Sequence, residues 1–389
     1  MTCCQVCHAQ LDEPIYVSAS DTSIDSLCAL HPGQTKVYFC RGCGHFQTDE
    51  LPDAKQYYDQ HYKILVDSEE EDQLYQVQAG RQVFRAEHQA ETFLAKVALP
   101  IGACVLDYGC AKAATGRKLA ASPAGLDVHL FDISQIYEPF WRQFTTADRW
   151  AVYQTPAAWQ GKFAAVMSFF VLEHVTRLAD VLSDMHRLLA DNGTLYFTVP
   201  DVLTNIADFI VVDHVNHFTE PSLRAALARA GFTNVQLDLT AHDAAIVVTA
   251  TKTTATVAAP PVDRDRLDLL AERARQVAAY WQSASQQVER FEAAQVGPGE
   301  NARQSAIYGS GFYGTFIASC LKQPEQVRCF IDRNPYRQSK RLLDRPVLAP
   351  EDLPRETDIV YVGLNPRVAR QSIASVATWD ERRHTYFYL

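Results

Sequence analysis

The sequence holds no apolar run approaching the ~18 to 20 residues that cross a bilayer, so no membrane-spanning helix is expected. Its first residues, MTCCQVCHAQ, lack the basic n-region and apolar h-region of a secretory signal. There is no basic run with interleaved aromatics, and a formal net charge of -10 opposes binding to a phosphate backbone. A cytoplasmic protein is therefore expected, with neither nucleic acid nor membrane as partner. No short internal repeat is visible. The turn CVLDYGCAKAATGRKLA, residues 104–120, looks built for a nucleotide but lacks a full Gly-x-Gly-x-Gly series. What is present is 389 residues, 47% hydrophobic, enough for two or three domains with sizeable cores.

Cysteine is concentrated at one end. Six of the ten lie within the first 43 residues: Cys3, Cys4, Cys7, Cys28, Cys40 and Cys43. Cys4 with Cys7, and Cys40 with Cys43, form two Cys-x-x-Cys knuckles, and Gly44 suits the tight turn of the second. Two such knuckles supply the four soft ligands of a tetrahedral zinc. A closed four-cysteine site has no open coordination position, so its expected role is structural. Cys3, His8 and Cys28 are conceivable substitutes, and redox-active or merely buried cysteine is the alternative.

The expected organisation is a zinc module at 1–50, a helical connector at 51–98, a nucleotide-type domain at 99–252, a linker with a long helix at 253–300, and a C-terminal domain at 301–389. Within the connector, SEEEDQLYQVQAGRQVFRAEHQAETFLAKV reads as one helix capped by Ser68. Strands are expected at ACVLDYG, DVHLFDI, FAAVMSFF, GTLYFTV and DAAIVVTATK, with helices RLADVLSDMHRLLAD and PSLRAALARAGF among them. That alternation is the mark of an α/β fold, a mostly parallel sheet with helices on both faces. The linker TTATVAAPPVDR precedes a long amphipathic helix over 263–295, which VGPGEN ends. That helix suits a core, interdomain or dimer face, and either a monomer or a homodimer fits the sequence.

Asp107 and Gly109 stand at the carboxyl end of the first strand of this domain, where open α/β sheets bind ligands. Gly109 and Gly116 give the backbone freedom, and Ala111, Ala113 and Ala114 leave room. Asp132 follows Asp107 by 25 residues at the end of the next strand, where an acid can accept both ribose hydroxyls.

Downstream, FAAVMSFFVLEHVTRLADVLSDMHRLLADNGTLYFTVP, with its Leu-Glu-His and Leu-Leu-x-x-x-Gly-x-Leu, resembles the fourth-to-fifth-strand region of class I S-adenosylmethionine-dependent methyltransferases. VNHFTEPSLRAALARAGF is similar to the segment after their fifth strand. A methyl donor has no pyrophosphate to cradle, so fewer glycines are needed. The resemblance implies S-adenosylmethionine as cofactor. It places Asp107 near the methionine amino group, Gly109 and Cys110 along the methionine and ribose, Asp132 on the ribose hydroxyls and Ile133 beside the adenine. Ser168 and Phe169 would close the donor site.

The order of parts is similar to that of the nucleotide-sugar C-methyltransferases, which act on nucleotide-linked ketosugars in deoxysugar biosynthesis. FCRGCGHFQTDELPDAKQYYDQHY resembles their second knuckle and Tyr-rich piece, and RCFIDRNPYRQSKRLLDRPVLAPEDLP their C-terminal region. The implied architecture is a class I methyltransferase Rossmann-like domain, preceded by a small zinc-binding module and followed by a second Rossmann-like α/β domain. The implied substrate is a nucleotide-sugar. The family's Tyr-His-Glu-His-x-x-Tyr-Phe falls on VVDHVNHF, residues 211–218. His214 and Asp213 keep the base and its acidic neighbour, whereas Val211, Val212 and His217 replace a tyrosine, a histidine and a second tyrosine. Carbon methylation beside a ketone needs a proton taken from carbon, which a histidine can do. Oxygen methylation also benefits from a base, so both remain open. Glu173 and His174 are expected either to touch the acceptor or to cap the next helix.

IYGSGFYGTFIASCL carries Gly309, Gly311 and Gly314 in dinucleotide-fingerprint spacing, with Asp332 21 residues after Gly311. Three readings stand: a dinucleotide site, a cradle for the nucleotide-sugar diphosphate at a helix N-terminus, or close helix–strand packing. Tyr308, Tyr313, Arg333 and Asn334 are the candidate contacts.

Overall fold

The computed structural model describes residues 3–389 except 79, 259–260, 262, 297–302, 377–378 and 380–383. Much of VGPGEN and part of the TTATVAAPPVDR linker therefore lie outside the described residues. The chain forms two compact units, neither continuous in sequence. The first gathers Met1–Ile15, Val37–Asp208 and Asp213–Arg273, and the second Tyr16–Lys36, Phe209–Val212 and Ala274–Leu389. The long helix runs Arg264–Gln295.

The first unit is built on seven strands: β1 Cys104–Tyr108, β2 Asp127–Asp132, β3 Trp150–Val152, β4 Phe163–Phe169, β5 Leu189–Pro200, β6 Phe232–Asp238 and β7 Ala245–Lys252. Their order across the sheet is β3-β2-β1-β4-β5-β7-β6. All neighbours are parallel except β7, which runs antiparallel to both β5 and β6. This is the Rossmann-like α/β fold of class I methyltransferases. Val105, Leu106, Ala165, Val166 and Met167 are fully buried because helices cover both faces of the central strands. The strand order reverses between β1 and β4, and a crevice opens there at their carboxyl ends.

The helices follow their patterns. α1 is Arg85–Lys96, α2 Ala114–Ala120, α3 Leu178–Leu188 and α4 Glu220–Arg229. α3 buries Leu178, Leu182, Met185 and Leu188, one stripe at helical spacing. Thr219 and Ser222 cap α4 reciprocally, and Gly231 at φ +82 lets the chain leave it. One expectation fails. Ser68 begins no helix: its hydroxyl accepts Glu71 N–H at 3.1 Å, and the next residues form a hairpin of Leu74–Gln78 with Arg81–Phe84. The alternation of Leu74, Tyr75 and Val77 and the turn residue Gly80, at φ +82, outweigh the helix propensity of SEEED. Only α1 remains helical.

A small antiparallel ladder flanks the methyltransferase fold. The strand Phe46–Thr48 pairs on one side with Lys36–Phe39, and on the other with the two-residue strand Asn216–His217. The second knuckle thus extends directly into the segment that carries His214 and His217.

In the second unit, Ser305–Tyr308 lies between Val327–Ile331 and Ile359–Val362 in a parallel arrangement. Its glycine turn is closely packed. A Cβ at Gly314 would stand 2.0 Å from the Gly309 carbonyl oxygen, and one at Gly309 would stand 2.2 Å from that of Gly363. Gly311 alone of the three meets nothing within 4 Å. Asp332 accepts Ser310 N–H at 3.0 Å and the Ser310 hydroxyl at 2.6 Å, so its carboxylate already holds the turn. Two of the three glycines therefore serve helix–strand packing, and Gly311 leaves an open face. Cys28 belongs to this unit, buried at φ +69 beside Thr315 and Arg337. Replacing Gly314 by Ala is expected to destabilise this unit by about 1 to 3 kcal/mol, and replacing Gly311 to change little. Hydrogen exchange over residues 305–331 measures both.

Candidate active site

Cys4, Cys7, Cys40 and Cys43 converge, with their sulfurs within 4.8 Å of one another. Cys4 Sγ lies 3.6 Å from Cys43 Sγ, and Cys7 Sγ lies 3.4 Å from Cys40 Sγ. Those separations approach the ~3.8 Å edge of a tetrahedron with ~2.3 Å zinc–sulfur bonds. The knuckles close through His8 N–H to Cys4 O at 2.9 Å and Gly44 N–H to Cys40 O at 2.8 Å. Four convergent free thiols on two rigid turns fit zinc, which would hold the knuckles together. Cys3 and His8 are exposed and outside this cluster, and Cys28 is in the other unit.

At the carboxyl ends of β1 and β2, Asp107 and Asp132 are both buried. Burial, reinforced by the charge of Asp132, pushes Asp107 up to about 7, although Gly116 N–H donates to it. Burial likewise pushes Asp132 up to about 6 against the backbone N–H groups it accepts. Asp132 Oδ2 accepts Ala111 N–H at 2.8 Å and Oδ1 accepts Ser134 N–H at 3.0 Å, which fixes the turn. Ala111 and Ala113 hold φ values of +46 and +61, so alanines occupy left-handed positions that favour glycine. Gly109, at φ +76, is required by the protein itself: a Cβ there would stand 2.5 Å from Val171. Cys110 lies buried beside it. Ile133 is 49% exposed and Tyr153 51% exposed, an apolar rim next to Asp132. Two acids held against their charge, with an open apolar rim, suit a ligand carrying an ammonium, vicinal hydroxyls and an aromatic base. Ser168 is placed differently from expectation. It is fully buried and donates to Tyr108 O at 2.9 Å, bracing β4 against β1, while Phe169 is half-buried.

Lys112 carried no sequence signal. It is buried, and its ammonium donates to the carbonyls of Ser68, Glu69 and Glu71, tying residues 68–71 to the donor turn.

The third cluster gathers Glu173, His174, Asp213, His214 and His217. Leu172–His174 is a single tight turn after β4, held by Asn216 Nδ2, which donates to Leu172 O at 2.9 Å and Val175 O at 2.7 Å. His174 meets Asp213 O at 3.1 Å and the Tyr58 hydroxyl at 3.2 Å through Nδ1, and the Tyr62 hydroxyl at 3.4 Å through Nε2. The His174 and His214 rings meet edge-on with centroids 4.6 Å apart. Glu173, His174 and His214 each bring one donor atom within 4.8 Å of the others. Glu173 is buried, its Oε2 has no hydrogen-bond partner, and burial pushes it up to about 8. Burial and the charge of His214 push His174 down to about 4.

Asp208 was not anticipated from the sequence. Its Oδ1 lies 2.6 Å from His214 Nδ1 and its Oδ2 lies 2.9 Å from His217 Nδ1. His217 is fully buried, and its Nε2 meets Thr48 Oγ1 at 2.7 Å, so both of its ring nitrogens are engaged. Burial opposes charge on His214, but the hydrogen bond from Asp208 and the charges of Asp208, Asp213 and Glu173 outweigh it and push His214 up to about 9.

Residues 80–237 match a family model described as a methyltransferase domain. The chain carries an S-adenosylmethionine-dependent methyltransferase domain. No curated protein matches the chain. Several solved structures resemble the methyltransferase. A methyltransferase in complex with the Haloferax volcanii Trm112 methyltransferase activator is 17% identical, with a TM-score of 0.36 over 42% of this chain and 88% of that one. An S-adenosylmethionine-dependent methyltransferase from Mesorhizobium loti is 17% identical, with a TM-score of 0.35 over 43% and 98%. The CurJ carbon methyltransferase is 16% identical, with a TM-score of 0.34 over 41% and 51%. Among the described residues, no helix is long and apolar enough to cross a membrane.

Two outcomes are expected of this site. The purified methyltransferase contains about one zinc, and Cys40→Ser lowers the melting temperature before it changes chemistry; metal analysis and calorimetry check both. Donor binding weakens as pH falls through about 7, where Asp107, facing Asp132 and Cys110, takes up a proton. Calorimetric titration at pH 6 and pH 8 measures it, and Asp107→Asn flattens the dependence.

Proposed function

We propose that this methyltransferase transfers a methyl group to carbon beside the ketone of a nucleotide-linked ketosugar. The observation that carries the reading is His214, whose Nδ1 is bound to Asp208 at 2.6 Å. Its Nε2 is left for the acceptor corner beside Glu173 and His174. The similarity of residues 211–218 to the sugar C-methyltransferase stretch supports the same assignment.

S-adenosylmethionine supplies an electrophilic methyl group on a sulfonium. Asp132 would accept the ribose hydroxyls on the lone pairs its two turn contacts leave, Asp107 would face the amino group, and Ile133 would flank the base. His214 Nε2 removes the proton from the carbon next to the carbonyl, and the electron pair of that C–H bond becomes the enolate. Neutral acids and hydroxyls near the carbonyl oxygen stabilise its developing charge. Glu173, protonated at neutral pH in its buried setting, is one such donor, and Tyr58 and Tyr62 are others. The enolate carbon would take the methyl group as the sulfur–methyl bond breaks, its electron pair staying on sulfur as a neutral thioether, and the proton on His214 passes to solvent. Alignment of carbon, methyl and sulfur supplies much of the rate.

The base must be neutral to act. Because His214, facing Asp208, Asp213, Glu173 and His174, is pushed up to about 9 and Glu173 to about 8, kcat/KM is expected to follow a bell, rising as His214 loses its proton and falling as Glu173 loses its own. His214→Ala is expected to lower turnover by about 10² to 10⁴ while donor binding stays intact. The deciding experiment incubates the protein with labelled S-adenosylmethionine and nucleotide-sugars with and without a 4-keto group. A carbon-bound methyl appearing only with ketosugars, located by NMR, supports the reading. An oxygen-bound methyl, or donor binding with no product across the panel, overturns it.

A further inference from the structure

We propose that Asp208 is the positioning residue for the base His214, and that Thr48, on the ladder next to the cysteine knuckles, sets Asp208 through His217. This rests on the reading of His214 as the base.

The argument is one of hydrogen-bond bookkeeping. Asp208 is 1% exposed, and each of its oxygens meets one imidazole Nδ1, at 2.6 Å for His214 and 2.9 Å for His217. A carboxylate only accepts, so both imidazoles must carry a proton on Nδ1. On the far side of His217, Thr48 Oγ1 stands 2.7 Å from Nε2. A hydroxyl there can donate to that nitrogen or accept from it, and in either case the Nδ1 proton of His217 stays directed at Asp208. The carboxylate cannot turn without breaking one of the two bonds. The chain Thr48–His217–Asp208–His214 therefore fixes which nitrogen of His214 is free, and directs Nε2 into the acceptor corner. This is the orienting logic of an acid–histidine pair, with a second histidine added as an anchor. His217 acts in it as a link and not as an acid or base.

The ends of this chain are held by different parts of the first unit. Thr48 belongs to the strand Phe46–Thr48, which pairs with Asn216–His217, and its backbone N–H donates to Val215 O at 3.2 Å. Asp208 precedes the loop that delivers His214. The charged and titratable groups facing His214 are Asp208, Asp213, Glu173 and His174. Of these, only Asp208 is hydrogen-bonded to the His214 ring among the described contacts.

The test combines nitrogen-15 NMR of the histidine rings, which needs no acceptor, with kinetics once one is found. In the native protein His214 and His217 are both expected to hold a proton on Nδ1. Asp208→Asn is expected to move the His214 titration down by more than one pH unit. It is also expected to cut kcat by about 10² or more, shift the pH limb equally, and leave the KM for S-adenosylmethionine unchanged. Thr48→Val, nearly isosteric and outside the acceptor corner, carries the test if the buried amide unfolds the protein. It should release the His217 tautomer and lower kcat about fivefold to tenfold, with an acid shift of the pH limb, while Thr48→Ser restores both. Unchanged ring tautomers and an unmoved His214 titration in both variants would overturn the proposal. A fully active His214→Ala would remove the base itself, while the NMR result would still report separately on Asp208.

Discussion

The pairing of two short strands, Phe46–Thr48 with Asn216–His217, is the constraint on which the corner of Glu173, His174, His214 and His217 depends. The segment after β5 has little regular structure of its own, so nothing local fixes His214 or His217. What fixes them is a template supplied from 170 residues earlier in the chain. Gly44 O accepts from the Thr219 hydroxyl at 3.0 Å, and His45 meets Asn216 at 3.1 Å, so the template is bonded at several successive residues. Asn216 in turn holds the turn that presents Glu173 and His174. A four-cysteine knuckle, remote from these histidines in sequence, thereby becomes the rigid support of the His174–His214 corner.

Around that support stand several buried acids, among them Asp107 with Asp132, Asp208 with its two histidines, and Glu173. The environments differ, and the titrations differ with them. Asp208 accepts from two imidazoles and stays well below the usual carboxylate range despite its burial. Glu173 has an oxygen without a partner and is pushed the other way. Two carboxyl groups in one corner are thus separated: the histidine charges and hydrogen bonds hold one as an anion, and burial pushes the other towards the neutral acid. The donor turn carries a second kind of cost. Ala111 and Ala113 sit where glycine would be relaxed, and the contacts of Asp132 and Lys112 hold the turn in that shape.

How legible was this in the sequence? The central strands were plain, because residues such as Leu106 and Val166 are buried on both faces and leave continuous apolar runs. The edge strand β3 and the outer strand β6 were not, since their exposed positions break the run. The placement of Asp107 and Asp132 at strand ends and the clustering of the four cysteines could be read from spacing. Asp208 could not: it lies six and nine residues before its partners in an irregular segment, and no periodicity links them. The bond of Ser168 to Tyr108 O was not legible either, since it joins strands far apart in sequence. Residues 16–36 gave no compositional sign that they cluster with the C-terminal part of the chain.

That last feature has a consequence for how the molecule is made. The second unit needs residues 16–36 and 209–212 as well as everything after 274, and the first unit resumes on either side of each insertion. Synthesis from the N-terminus therefore leaves the early hairpin Thr22–Pro32 without its own unit until nearly the whole chain has emerged. The first unit is complete once residue 273 has emerged, whereas the second is complete only at the end of the chain. Long-range closure governs the rate, and any truncation that keeps one unit whole must cut through the other.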